Sequence, residues 1–293
     1  MVFKNTFDNP WLNSRLIIGS IIIGFIVFGS LLGRFVWDPE LSVTTSSPLN
    51  LPPYGFINLR KQHGVLEHPL GTDNSGRDML AVLIVGTPRT LSIGVIAAGT
   101  GMLIGVLLGF SSGFIGGKWD DFVRVLSDST ITIPALAVLI VIQSLFRVDI
   151  YTMAVLIALF SWSGPTRYIR AQVLTMRESG YVKMARISGV PTFDIMFKEM
   201  MPNLVPYLVA SLIGNTAGAI LYAIGLQVLG LGSTRLPTLG ITIYYSISAA
   251  ALLRDMWWWW GLPTLVLALI FIGLFLINLG LDEVCNPRLR KAN

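Results

Sequence analysis

Charge is what this sequence has least of. Of its 293 residues only 13% are Asp, Glu, Lys or Arg, against 53% hydrophobic, and the mean hydropathy is +0.69. A soluble domain carries about 25% charged residues, so a water-facing surface around a single core is excluded. The chain reads as an integral membrane protein. Cysteine is almost absent as well. The lone Cys285 excludes an intrachain disulfide framework and any multi-cysteine metal site. The two histidines, His63 and His68, have no partner at ligand spacing and read as loop or capping residues.

Catalytic signatures are missing too, and no residue is assigned a catalytic role. There is no G-x-x-x-x-G-K-[ST]; the nearest approach, Gly116-Gly117-Lys118, is followed by Trp119, which has no hydroxyl for magnesium. G-x-S-x-G and H-E-x-x-H are absent. The hydrophobic runs carry almost no ionisable residue at mid-depth, which speaks against a proton or ion relay. Internal inverted repeats, the mark of many secondary transporters, are not visible. The net charge of +5 does not point to nucleic acid, because the basic residues are distributed asymmetrically around the hydrophobic runs.

What is present is a series of charge-free runs: 16–32, 91–114, 129–146, 150–166, 204–234 and 256–281. A helical span needs about 20 apolar residues. The first run reaches that with its flanking residues and the fourth barely does. No small-x-small cleavage site follows the first run, since Arg34-Phe35-Val36-Trp37 comes next, so it is read as a retained span rather than a signal peptide. The expected fold is all-α and polytopic, with six transmembrane helices. It divides into a tail and first span (1–37), a loop (38–89), a core of five spans (90–281) and a tail (282–293). Gly101, Gly105, Gly109 and Gly113 repeat at the small-xxx-small spacing of close helix contact in membranes. Pro134 and Pro263 fall near the starts of their spans, where they are tolerated or kink the helix. Trp257-Trp258-Trp259-Trp260 reads as an aromatic belt at the outer edge of the last span, with a stacking platform for a sugar or aromatic side chain as the alternative.

Six spans place both termini on one side. With the amino terminus inside, Lys4, Arg15, Lys118, Arg124, six basic residues of the 166–206 loop, Arg288, Arg290 and Lys291 make 13 inside, leaving 21 − 13 = 8 outside. Basic residues gather on the cytoplasmic side, so both termini and the 166–206 loop are expected there, and 38–89 outside.

That loop is the longest polar interruption in the hydrophobic half of the chain. It holds Arg167, Arg170, Arg177, Lys183, Arg186 and Lys198, yet Ile169, Val173 and Met176 recur at i, i+4, i+7, as do Phe193, Phe197 and Met200. Gly180 and Gly189 interrupt it, and Pro202 and Pro206 mark its exit. It reads as a set of short amphipathic helices. Gly189 suits a left-handed turn, Thr192 a helix N-cap, and Asp194 the first turn of the helix that follows. A second patterned stretch is 68–78, HPLGTDNSGRD. There Gly71 and Gly76 permit tight turns, while Asp73 and Asp78 can cap helices or pair with Arg77. A calcium loop is the competing reading, but Arg77 and Gly76 occupy the wrong positions for it.

Arg170-Ala171-Gln172-Val173-Leu174, Arg177-Glu178, Tyr181-Val182, Ala185-Arg186, Gly189, Phe197 and Pro202-Asn203 resemble the cytoplasmic EAA loop of ABC-importer permeases. The match is to the C-type permeases of the dipeptide, oligopeptide and nickel family. Lys183-Met184-Ala185 stands where that family has Glu-Ala-Ala. His68, Leu70, Gly71, Thr72, Asp73, Gly76, Arg77 and Asp78 resemble the segment that precedes the membrane domain in the same family, and Asn286-Pro287-Arg288-Leu289-Arg290 its C-terminal ending. The resemblance implies a type I importer permease with short cytoplasmic coupling helices, in a prokaryotic inner membrane. It implies a second, similar permease, two ATPase subunits that dock on the coupling loop, and an extracytoplasmic solute-binding protein. No cofactor is then expected on this chain, ATP and magnesium belonging to the partner subunits. Peptides are the expected cargo, with oligosaccharides or nickel as alternatives. A self-sufficient secondary transporter is the competing class.

Overall fold

The computed structural model describes residues 13–146, 148–232 and 236–285. The expectations for the first twelve residues and for the Asn286-Pro287-Arg288-Leu289-Arg290 tail lie outside the described residues. Among those described, every regular element is a helix. They are α1 Ser14–Val36, α2 Met79–Ile115, α3 Gly117–Thr132, α4 Ala135–Leu145, α5 Ile150–Ser161, α6 Ser163–Arg177, α7 Gly180–Ile187, α8 Thr192–Asp194, α9 Met201–Val228, α10 Leu239–Ser248 and α11 Trp257–Cys285. A π turn, Ile195–Met200, joins α8 to α9 without a break, so the helical rod runs from Thr192 to Val228.

Four of these rods are long and apolar enough to cross a bilayer, and a bent pair, α3 with α4, makes a fifth. The six-span expectation is therefore met only in part, and the reason is local. Pro134 lacks an N–H and disfavours helical geometry in the residue before it. Ile133 accordingly adopts φ −73°, ψ 126°, and the two helices meet at 71°. The 150–166 run breaks at Trp162 into α5 and α6. With 12 residues, α5 rises only ~18 Å, short of the ~30 Å hydrocarbon core.

The glycine stripe explains the tightest seam. A Cβ at Gly101, Gly105 or Gly109 would lie 2.2–2.6 Å from Ser161 Oγ, Pro165 Cβ or the Thr166 carbonyl, so α2 and the α5–α6 rod touch backbone to backbone. α1 and α11 make a second close pair: a Cβ at Gly19 would strike the Gly273 carbonyl, and one at Gly280 would strike Leu16. Glu283 accepts from Asn13 and pairs with Arg15, so the start of α1 and the end of α11 share one end of the bundle. α2 runs the whole length. Its start packs with Trp258 and Trp259, and its Phe110 and Phe114 pack with Val182 of α7 and Ile195 of the π turn.

The tryptophan run corrects its expectation. Trp257 and Trp260 are partly exposed, but Trp258 (1%) and Trp259 (0%) are buried. Trp258 donates its Nε1 hydrogen to the Thr72 carbonyl at 3.1 Å. A belt anchor faces lipid headgroups, whereas these two rings pack against Met79 and Ala251 beneath the 38–78 segment.

Candidate functional site

Two ends of the bundle carry the patterned sequence. At the first, α6 descends along α2 and stops at Glu178. Arg177, in its last turn, reaches back to donate to the carbonyl of Gly113 at 3.2 Å, one of the unsatisfied carbonyls at the end of α2. Arg170 forks onto Asp120 of α3 at 2.5 and 2.6 Å, the planar bidentate geometry that guanidinium and carboxylate favour. These contacts lock α2, α3 and α6 into one block.

Below that block, α7 places Val182 inward with Ala185 packed against the same cluster, and leaves its other residues exposed. Val182 joins Ile169, Val173, Ile195, Met200, Phe110 and Phe114 in a sealed cluster. Gly189 ends α7 as its pattern predicts, with φ +76°. Its N–H bonds the Arg186 carbonyl and the Val190 N–H the Ala185 carbonyl, both at 3.1 Å. That pairing is the Schellman arrangement, which satisfies the last carbonyls of a helix. Thr192 departs from expectation. Pro191, at φ −57° and ψ 142°, holds the N-cap position without a side-chain cap, and Thr192 is the first helical residue. The fixed φ of proline in an extended conformation leaves Thr192 no capping role. Asp194 lies in the first turn as expected and pairs with Lys198 at 3.0 Å.

Of the residues singled out by sequence, Tyr181, Lys183, Ala185, Arg186, Gly189, Thr192, Asp194 and Phe197 gather at this corner. Lys183 meets Glu178 at 3.2 Å in an exposed pair, a geometry that contributes about 0–1 kcal/mol. Arg186 lies over the Phe114 ring, 5.5 Å from its centroid. Pro202 and Asn203 sit further along, in the first turn of α9, where Asn203 donates to the Glu199 carbonyl at 2.7 Å. Sequence reasoning named Phe193 but missed Met184 and Ile187, which complete an outward apolar face: Met184 is 66% exposed, Ile187 82% and Phe193 67%. Its signal was available, because Met184 and Ile187 stand at i, i+3, a spacing that shares a helix face.

At the opposite end, residues 38–78 fold back on themselves. Thr72 is central: its N–H bonds the Leu51 carbonyl, and its hydroxyl accepts from the Leu51 N–H and donates to the Pro48 carbonyl. Gly71 (φ +78°) and Gly76 (φ +71°) turn the chain where a Cβ would strike the Leu51 and Ser47 carbonyls. Asp78 is the N-cap of α2. Its Oδ1 accepts from the Ala81 N–H and Trp37 Nε1, and its Oδ2 meets His68 Nδ1 at 2.8 Å. His68 is thus a buried partner of Asp78. Asp73 caps its own turn by accepting from the N–H groups of Ser75 and Arg77. Burial drives its carboxyl pKa above the ordinary value, against the smaller opposing pull of those hydrogen bonds and of the Arg77 charge. The Arg77 guanidinium forms no ion pair with either aspartate; it stacks over Tyr245, 5.1 Å from the ring centroid.

Between the two ends, a cavity of about 450 Å³ opens where both helix breaks face α9. Thr130, Pro134, Ser161, Gly164, Asn215 and Tyr222 are among its walls, and no acidic or basic side chain lines it. Asn215 is held from behind by donating to Tyr168 Oη at 2.6 Å.

Residues 101–291 match the family described as binding-protein-dependent transport system inner membrane component. The chain belongs to that family. Among its relatives, the oligopeptide transport system permease protein OppC of Lactococcus lactis subsp. lactis (strain IL1403) is 32% identical over 212 residues. That alignment covers 70% of this chain and 72% of the relative. The dipeptide transport system permease protein DppC of Bacillus subtilis (strain 168) is 26% identical, covering 95% and 83%. The di/tripeptide transport system permease protein DppC of Pseudomonas aeruginosa (strain UCBPP-PA14) is 28% identical, covering 94% and 88%. The chain is accordingly a multi-pass transport permease, and the matched span contains the α6–α9 corner, the cavity and both helix breaks. The 38–78 segment lies before the matched span but inside the reach of the longer alignments.

Proposed function

We propose that this chain is one of two transmembrane subunits of an ATP-driven peptide importer, receiving cargo from a solute-binding protein and driven by two ATPase subunits. The names of the relatives support the cargo. The observation that carries the coupling is the corner around Gly189. Met184, Ile187 and Phe193 stand exposed at a bundle end whose interior cluster is already sealed. Apolar side chains beside Lys183 and Arg186 suit a protein groove with an acidic rim. On this reading the corner is cytoplasmic, residues 38–78 are extracytoplasmic, and the chain crosses six times. The fourth crossing is then α5 continued by the first turns of α6.

Force on α7 would pass through Val182 to Ile169, Val173, Ile195 and Met200, and so to α2, α6 and α9 together. The breaks at Pro134 and Trp162 are the points at which such a block can tilt. Both face the cavity, which forms this chain's wall of the translocation path. Its hydroxyls, amide and free volume accept a peptide backbone without selecting for the charge of its side chains.

Reconstitution in proteoliposomes tests the proposal. The permease alone should bind and hydrolyse no ATP. Peptide uptake should require the second permease, the ATPases and the binding protein together. Uptake by this chain alone, driven by an ion gradient, would overturn it.

A further inference from the structure

Two arginines lie on the wrong side of the charge bias and are left without an acid. Arg34 ends α1, and Arg89 sits in α2, one residue beyond Pro88. The register between these antiparallel helices is set by Gly33, where an added Cβ would lie 2.9 Å from Ile84. Arg89 is therefore about one and a half turns, ~7 Å, deeper along α2 than the level of Gly33. Helical side chains lean toward the N-terminus of their own helix. Arg89 thus leans back toward the end carrying residues 38–78, while Arg34 leans the opposite way, so each guanidinium is directed toward the level of the other.

Among the described residues neither arginine has a carboxylate within ion-pair distance. The one hydrogen bond of Arg89 is a long one, 3.4 Å, to the Pro237 carbonyl. Two like charges held together at a membrane boundary are unfavourable unless an anion neutralises them. The surroundings identify which anion. Leu31, Leu32, Phe35 and Val36 flank Arg34 and are all exposed, Phe35 at 89%, an apolar surface of the kind that acyl chains cover. Neither Arg34 nor Arg89 lines the neutral cavity.

We infer that Arg34 and Arg89 bind the phosphate of one anionic phospholipid in the leaflet at the 38–78 end, its acyl chains lying along the exposed face of α1. The inference rests on the membrane-spanning reading and on neither the cargo nor the coupling. Such a lipid would pin α1 to α2, tying the peripheral helix to the rod that runs through the permease core.

The test uses the assembled transporter, purified from phosphatidylglycerol nanodiscs and examined by native mass spectrometry. The wild type should retain one phosphatidylglycerol that Arg34→Gln/Arg89→Gln loses and Arg34→Lys/Arg89→Lys keeps at least in part. If Arg89 variants do not assemble, Arg34→Gln alone, at an exposed helix end, should weaken retention. Equal retention by wild type and glutamine variants would overturn the inference. Displacement of the adduct by excess inorganic phosphate would also overturn it, in favour of a free anion. Failure of peptide uptake by the wild type would contradict the proposed function while leaving the lipid readout intact.

Discussion

Asp78 shows how much one side chain can hold. It is fully buried, and three separate segments converge on its two oxygens: the start of α2, Trp37 at the end of α1, and His68. Asp78→Ala removes an N-cap, worth about 1 kcal/mol, and leaves the donors of Trp37 and His68 without partners, at about 1–3 kcal/mol each when buried. The variant should lose several degrees of thermal stability in detergent, with Asp78→Asn, which keeps an acceptor for Ala81, less affected. Asp73 gives a prediction of pH dependence with an unusual sign. Burial raises its pKa in the folded protein, so the native state binds a proton more tightly than the unfolded chain. Its contribution to stability is fully present below the ordinary pKa of 3.8 and is lost as pH rises through the raised value. Asp73→Asn keeps an acceptor and removes the titration. The melting temperature of the wild type relative to that variant should therefore rise as pH is lowered from 7 to about 4; a relative fall would contradict the burial argument. At this scale the sequence was informative wherever a residue acts on its own backbone. Gly71, Gly76 and Gly189 adopt the left-handed turns their positions suggested, and Asp78 caps a helix. It was silent on His68 with Asp78 and on Trp258 with Thr72, because those partners meet only once the 38–78 segment folds over the bundle.

Elements were legible as apolar runs and less so as continuous helices. The glycine stripe of α2 was read as a packing face and is one: Gly105 touches Pro165 so closely that Gly105→Ala should force the rods apart. Overpacking of this kind costs about 1–3 kcal/mol. Gly99→Ala, at a position with no neighbour within 4 Å, should be close to neutral, and comparing the two melting temperatures checks the seam. Pro134, read from sequence as either tolerated or kinking within one span, marks the α3–α4 break. The break at Trp162 has a proline behind it as well: Pro165 has no N–H to offer the Ser161 carbonyl, so the helical ladder is interrupted there. At the α7 corner, Gly189→Asp adds a Cβ with no described neighbour within 4 Å. The internal cost is the left-handed backbone alone, about 1–2 kcal/mol, too little to unfold α7. Peptide uptake should nevertheless fall at least ten-fold while the amount of assembled complex changes less than two-fold, about 0.4 kcal/mol against 1.4 kcal/mol. Uptake and assembly falling in parallel would mean that the corner is only a connector.

At the scale of the whole molecule, the starting charge bias and the structure bear on the same question from different sides. Arg15 and Glu283 hold the start of α1 beside the end of α11, the arrangement an even number of crossings requires. Counting apolar runs and basic residues set the corner and the 38–78 segment on opposite sides as an expectation, and α2, whose start packs at one and whose end packs at the other, holds them at opposite ends of the bundle. On the proposed function, the α7 corner is where the ATPases dock. Ile187→Cys, in a background with Cys285→Ala, tests that claim most directly through its rate of reaction with a maleimide in membrane vesicles of known orientation. The cysteine should react quickly in the permease pair alone, from the cytoplasmic side only. It should be protected at least ten-fold once the ATPase subunits are bound, with Ser46→Cys at the other end unchanged. Reaction from the opposite side, or an unaltered rate in the full complex, would contradict the account.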